Sequence, residues 1–178
     1  MEWLNKLIER ILEVVPRLWF VHPNESGVRI TLGRFVRDTP TGWYVYWPLI
    51  QDCLKLDVTP QVVDLKNQSL MTTDGKQVVV SAAIQYRICD ARKALLEVMN
   101  FDKSLQTLAL GIVAKYVSTT QFDKVDAAKM KSQVRDGVQR EVEDWGLKIE
   151  KVYITDLVVA RHLRLLTDGE KTVPGNVI

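Results

Sequence analysis

The residues best suited to chemistry are few and far apart. The chain of 178 residues carries two histidines, His22 and His162, and two cysteines, Cys53 and Cys89. His22 lies beside the N-terminal amphipathic segment and His162 near the tail, and neither has an obvious partner for general acid–base work. The cysteines show no CxxC or Cys/His clustering, so they read as buried thiols of a reducing compartment rather than a disulfide or zinc site. No GxGxxG or GxxxxGK[ST] loop is present, and Asp74-Gly75 is a hairpin signal, not a phosphate cradle. No catalytic, cofactor or metal residue is therefore assigned, and the expectation is a noncatalytic protein.

Charge removes a second class of function. With 24 basic and 22 acidic residues the net charge is +2, so no global field draws the chain to nucleic acid or to an anionic surface. The aromatic run around Trp43 has no basic flank of the kind that tracks a phosphate backbone, and nucleic acid is not an expected partner. A hydrophobic content of 47% suits one ordinary folded domain with appendages. What remains informative is apolar and aromatic surface.

The first nineteen residues, MEWLNKLIERILEVVPRLW, place Leu4, Leu7, Ile8, Ile11, Leu12, Val15, Leu18 and Trp19 at i, i+3, i+4 spacing, with Glu2, Asn5, Lys6, Glu9, Arg10 and Glu13 opposite. Pro16 breaks a continuous helix, so the clean helix spans about residues 2–14, roughly 20 Å at 1.5 Å per residue. That is too short to cross a bilayer, and it lacks the architecture of a secretory signal. Such a helix lies on a surface. A membrane interface, accepting Trp3, Trp19, Phe20 and the leucine stripe, and a protein surface suit the pattern equally. Acidic residues match the basic ones and no polybasic cluster exists, so any membrane affinity is mainly hydrophobic. Five large aliphatics at about 1.5–3 kcal/mol each for full burial, less immobilisation, give reversible attachment.

Strands dominate the middle. GVRITLGRF alternates Val28, Ile30 and Leu32 against Arg29 and Thr31. In GWYVYWP, Trp43, Val45 and Trp47 point one way and Tyr44 and Tyr46 the other, so both faces carry aromatic surface and one of them need not be core. CLKLDV continues through Leu54, Leu56 and Val58; Pro60 marks an edge or bulge, and the pattern resumes with Val62 and either Val63 or Leu65. After the Asp74-Gly75 turn, Val78, Val80, Ala82, Ile84, Tyr86 and Ile88 line one face of a long central strand.

Three helices follow. Asp90 caps a short one carrying Ala94, Leu95 and Val98 inward. The second, about 102–118, has a broad face of Leu105, Leu108, Ala109, Ile112, Val113 and Tyr116, suited to packing on a sheet. The third, about 124–145, spaces Ala127, Met130, Val134, Val138, Val142 and Trp145 along one stripe amid mixed charge. Gly146 ends it, and LKIEKVYITDLVV returns to strand with a bulge near Glu150. Strands, helices, then a strand define an α+β class. Residues 160–166 start another helical pattern that Gly169, Pro174 and Gly175 halt, and the tail at 167–178 is expected to be frayed.

The chain resembles the SPFH or band 7 proteins, the stomatin, prohibitin and flotillin group. The resemblance rests on ESGVRITLGRF, PTGWYVYWP, MTTDGKQVVVSAAIQYRICDARKAL and DWGLKIEKVYITDL, in this order, and spans about residues 25–165. It implies an α+β SPFH domain over 24–166, mostly antiparallel sheet packed with helices, behind a membrane-associating segment at 1–23. It also implies a noncatalytic scaffold, peripheral on the cytoplasmic face of a membrane, that forms homo-oligomers and organises lipids or membrane proteins, membrane proteases included.

On that resemblance, membrane contact falls to Trp3, Leu4, Leu7, Ile8, Ile11, Leu12, Val15, Leu18, Trp19 and Phe20, with Trp43 and Trp47 as a second contact. The family commonly continues into a long coiled coil that this sequence, ending at Ile178, does not include. Assembly is thus expected through the domain itself, with Arg135, Arg140, Glu141 and Glu143 of the mixed-charge helix as the lateral contact. The alternative is a soluble adaptor that buries its first helix in a partner protein.

Overall fold

A computed structural model describes Trp3 and residues 15–159. The elements are β1 (Arg17–Val21), β2 (Glu25–Thr31), β3 (Phe35–Thr39), β4 (Gly42–Tyr46), β5 (Gln51–Asp57), β6 (Gln61–Met71), β7 (Gln77–Ile88), α1 (Ala91–Leu96), α2 (Phe101–Ser118), α3 (Ala127–Val142) and β8 (Leu147–Val159). They form three antiparallel sheets among the described residues: a two-stranded ribbon β1-β4, and sheets ordered β3-β2-β5 and β6-β7-β8. The expected α+β class holds. Apart from Trp3, the proposed N-terminal helix at 2–14 lies outside the described residues, as do the helical start at 160–166, the tail and His162.

Strand β7 is central because both its faces have work. Val78, Val80, Ala82, Ile84, Tyr86 and Ile88 are all buried, sharing a core with Leu105, Ala109 and Val113 of α2 and Met130, Val134, Val138 and Val142 of α3. Helix α2 lies on β6, α3 lies on β8, and the two helices pack on each other at Gly137, where an added Cβ would come within 3.2 Å of Ile112. On the other face of β7, Gln85 and Arg87 meet Glu150. Glu150 can reach both because the β7–β8 register shifts there, and a bulge re-aims the extra side chain. Val63 and Leu65 of β6 both face the core while Val62 is exposed.

Two turns fix how these layers meet. The Asp74-Gly75 hairpin is pinned to the loop after α2: Asp74 Oδ1 accepts from Thr72 Oγ1 at 2.6 Å and from Phe122 N–H at 3.0 Å, and Thr73 N–H donates to Thr120 O at 3.2 Å. These bonds hold the Asp74 carboxyl at about 2, below its ordinary 3.8. At the other end, Gly146 takes φ 71°, and its carbonyl accepts from both Cys89 N–H and Asp90 N–H. A Cβ there would lie 2.5 Å from Asp90 O, so the start of β8 seats against the cap of α1 only with glycine.

Three expectations change. Leu18 and Trp19 do not extend a helix; they lie on β1, paired with β4 from Arg17↔Tyr46 to Val21↔Gly42. Pro16 removes a helical donor, and the β-favouring Trp-Phe-Val that follows takes the ladder instead. Leu32 leaves the strand alternation and is exposed, because with φ 53° it forms the β2–β3 turn with Gly33. Cys89 is exposed, and Cys53 is only partly buried. Burial pushes the Cys53 thiol up against the pull of the nearby Arg29.

Candidate functional site: an exposed aromatic ribbon

The β1-β4 ribbon has two faces of opposite fate. On its inner face Trp19 and Tyr44 pair at 6.3 Å between ring centroids, and Tyr44 Oη donates to Pro40 O at 2.9 Å. Trp19 lies against Gly27 of β2, where an added Cβ would sit 2.4 Å from its ring. Val21 of β1 and Thr39 of β3 are buried with it. A two-stranded ribbon is marginal alone, and this seat on the β3-β2-β5 sheet supports it. Trp19, counted among the expected membrane contacts, therefore faces the protein.

The outer face is apolar and uncovered. Leu18 is 61% exposed, Phe20 41%, Trp43 76%, Val45 59% and Trp47 52%. They meet as cross-strand pairs, Leu18 with Val45 and Phe20 with Trp43. The Phe20 and Trp43 rings stack edge to face at 4.7 Å, a favoured aromatic geometry. The alternation of Trp43, Val45 and Trp47 against Tyr44 and Tyr46 is as the sequence reading has it. Trp3 and Val15 are also exposed.

The patch continues past the ribbon. The chain turns after Trp47 through Leu49 and Ile50, both exposed, with Ile50 N–H and Gln51 N–H both donating to Trp47 O. Leu32 N–H donates to Ile50 O at 2.8 Å, which brings the exposed Leu32 beside this turn. Sequence reasoning missed Leu49 and Ile50 because they follow Pro48 and read as turn residues, and missed Leu32 because it fits the alternation of Val28 and Ile30 although it forms the turn. The usable signal was the Pro48-Leu49-Ile50 insertion, apolar where turns are usually polar. Because Arg17 pairs with Tyr46, the segment before β1 joins the domain at the Trp47 end. Single exposed apolar residues are ordinary, but a contiguous rim marks a contact surface.

The four side chains expected to mediate lateral contact, Arg135, Arg140, Glu141 and Glu143, are all exposed. Arg135 pairs with its neighbour Asp136 at 2.9 Å, and Arg140 Nε donates to Asp136 O at 3.2 Å. Helix α3 thus partly satisfies its own charges. Among the described residues no cluster of three or more His, Cys, Asp or Glu is placed to hold a metal ion, and no helix is long and apolar enough to cross a membrane. Tyr86 carries the most perturbed hydroxyl; burial and the Asp102 carboxylate at 2.5 Å push it far up, which secures a core hydrogen bond.

These features define an α+β domain whose distinguishing surface is an apolar ribbon on its rim. The family described as SPFH domain / Band 7 family matches residues 20–164, and the chain belongs to that family. An uncharacterised protein of Methanocaldococcus jannaschii is 27% identical over 157 residues, covering 87% of this chain and 79% of that protein. A stomatin homologue of Pyrococcus horikoshii is 24% identical over 75% of this chain and 51% of its own length. Mouse stomatin is 23% identical over 79% of this chain and 51% of its own. The chain thus spans about half the length of these two stomatin-named relatives.

Proposed function

We propose that this SPFH domain is a noncatalytic scaffold that rests peripherally on the cytoplasmic face of a membrane, self-associates, and organises lipids or membrane proteins. One observation carries the reading: the outer face of the β1-β4 ribbon and the adjoining Trp47–Ile50 turn form an exposed apolar rim. The segment holding Trp3, Leu4, Leu7, Ile8, Ile11, Leu12 and Val15 joins the domain at that same end. Tryptophan with aliphatic neighbours suits the boundary between headgroups and acyl chains. Leu18, Phe20, Trp43, Val45 and Trp47 then supply the domain's own contact, and the N-terminal stripe supplies the anchor. Lateral association uses the charges of Arg140, Glu141 and Glu143, with Arg135 exchanging its internal partner.

The test is co-sedimentation of the full chain with phosphatidylcholine vesicles beside Ile8→Glu, Ile11→Glu and Trp43→Glu, with circular dichroism confirming that each is folded. Binding by the parent that weakens in all three supports the reading. A parent that stays in the supernatant while the vesicles pellet overturns it and favours a protein partner for the same surface. Sedimentation velocity at low and high salt tests association, which should weaken as salt screens the α3 charges.

A further inference from the structure

The sheet face beneath the ribbon is only partly covered. On β2, alternation puts Gly27, Arg29 and Thr31 on one face and Val28 and Ile30 on the core side. Trp19 covers Gly27. One register step further along, Arg29 stands directly opposite Arg37 of β3, and beyond it Thr31 opposite Phe35. An open groove of about 350 Å³ lies here, lined by Arg29, Thr31, Phe35, Arg37 and Gln51.

The groove is built of donors. Like charges set directly opposite on neighbouring strands repel, with side chains starting about 5 Å apart. Among the described residues neither arginine forms an ion pair, and Arg29 Nε is buried without a hydrogen-bond partner. The amide oxygen of Gln51 accepts from Trp47 N–H at 3.1 Å, leaving its NH2 as a further donor, and Thr31 adds a hydroxyl. No carboxylate lines the groove. Asp38 and Asp52 sit one residue from Arg37 and Cys53, on the alternate side of their strands, and Glu25 on this face is already bonded to Lys55 at 2.8 Å. Two guanidiniums, an amide and a hydroxyl without an acid form a receptor for a tetrahedral oxyanion, and planar guanidinium forks match phosphate oxygens.

Position supplies the source. Gln51 and Phe35 join the groove to the Trp47–Ile50 turn and to the Leu32 tip, the apolar rim of the domain. We infer that Arg29 and Arg37 form a binding site for a phosphate group and, resting on the membrane reading above, that the group belongs to an anionic lipid headgroup presented as the rim touches the bilayer. The apolar residues then hold the surface, and the arginines select which lipid lies under it.

The experiment has two arms on the full chain. In the first, inorganic phosphate is titrated at constant ionic strength, read by the NMR resonances of the Arg29 and Arg37 guanidiniums and of amides 29–37. In the second, vesicles of phosphatidylcholine alone, with phosphatidic acid, or with oleate at equal charge are co-sedimented with the chain, with Arg29→Gln, with Arg37→Gln, and with Lys151→Gln as a remote charge control. Local shifts and preference for phosphatidic acid over oleate, reduced about tenfold by each arginine change and not by Lys151→Gln, are expected. Phosphate shifts at these residues with no vesicle binding at all retain the site, assign it to free phosphate, and refute the membrane reading. Binding to phosphatidic acid and oleate vesicles alike, or a preference unchanged in the arginine variants, overturns the site while leaving membrane contact standing. Arg37 is exposed, so Arg37→Gln keeps the test decisive if Arg29→Gln does not fold.

Discussion

Strands β4 and β7 share a pattern and differ in fate. Both alternate, and both place β-branched or aromatic residues on one face. In β7 that face is buried under α2 and α3 and closed on both edges by β6 and β8. In β4 it is the outer face of a two-stranded ribbon, and its Trp43 and Val45 are exposed. Alternation says that a strand has two faces; only the elements packed beside it decide which of them is covered. The covered face carries stability, and the uncovered one is available to a partner.

The sharpest way to break this contrast is to place a charge on each face. Ile84→Asp on β7 should destroy cooperative folding, a loss above about 4 kcal/mol from an unpaired buried carboxylate, seen as collapse of the urea transition. Next in size is Gly146→Ala, which adds both left-handed strain and contact with Asp90 O; about 2–4 kcal/mol should be lost in the same assay. Trp43→Glu, the matching charge on β4, should cost about 1 kcal/mol, chiefly the Phe20 ring contact, while weakening vesicle binding. If Trp43→Glu instead unfolds the domain, the ribbon belongs to the core and the comparison fails.

The smallest effect concerns pH. Asp74 titrates at about 2 in the folded chain, below its ordinary 3.8, held first by the Thr72 hydroxyl and then by Phe122 N–H. Since the folded value is the lower one, its contribution is fully present above about pH 4 and fades as pH falls through 2. Asp74→Asn should flatten the stability profile between about pH 4 and 2, measured by urea titration at each pH. An unchanged slope would show that the hairpin is pinned by the backbone alone.

Much of the fold was legible because periodicity and punctuation agreed. The β7 face, the α2 and α3 stripes, the Asp90 cap, the Asp74-Gly75 hairpin and the Glu150 bulge all follow from local pattern, as does the family from four ordered motifs. The misreadings share a cause: local signals competing with a partner distant in sequence. Leu18 and Trp19 fit a helical stripe until β4, more than twenty residues on, offers them a ladder. The exposure of Trp43 was read only as a possibility of its two-sided pattern. The Arg29–Arg37 opposition was illegible, since it depends on the register across the Leu32-Gly33 turn and a one-residue slip would have separated the two charges.

The seat of Trp19 on Gly27 also bears on timescale. The ribbon is held to the sheet below it by the Trp19 indole and the buried Val21, both resting on Gly27 where any side chain would stand, so its hold can fail without disturbing β7 or its helices. It should therefore open as its own cooperative unit. Amides of 17–21 and 42–46 should exchange with solvent deuterium well before those of 78–88, and Gly27→Ala should widen that interval by speeding the ribbon alone. A contact surface mounted on such a hinge could adjust its angle to a curved substrate while the body of the domain stays fixed.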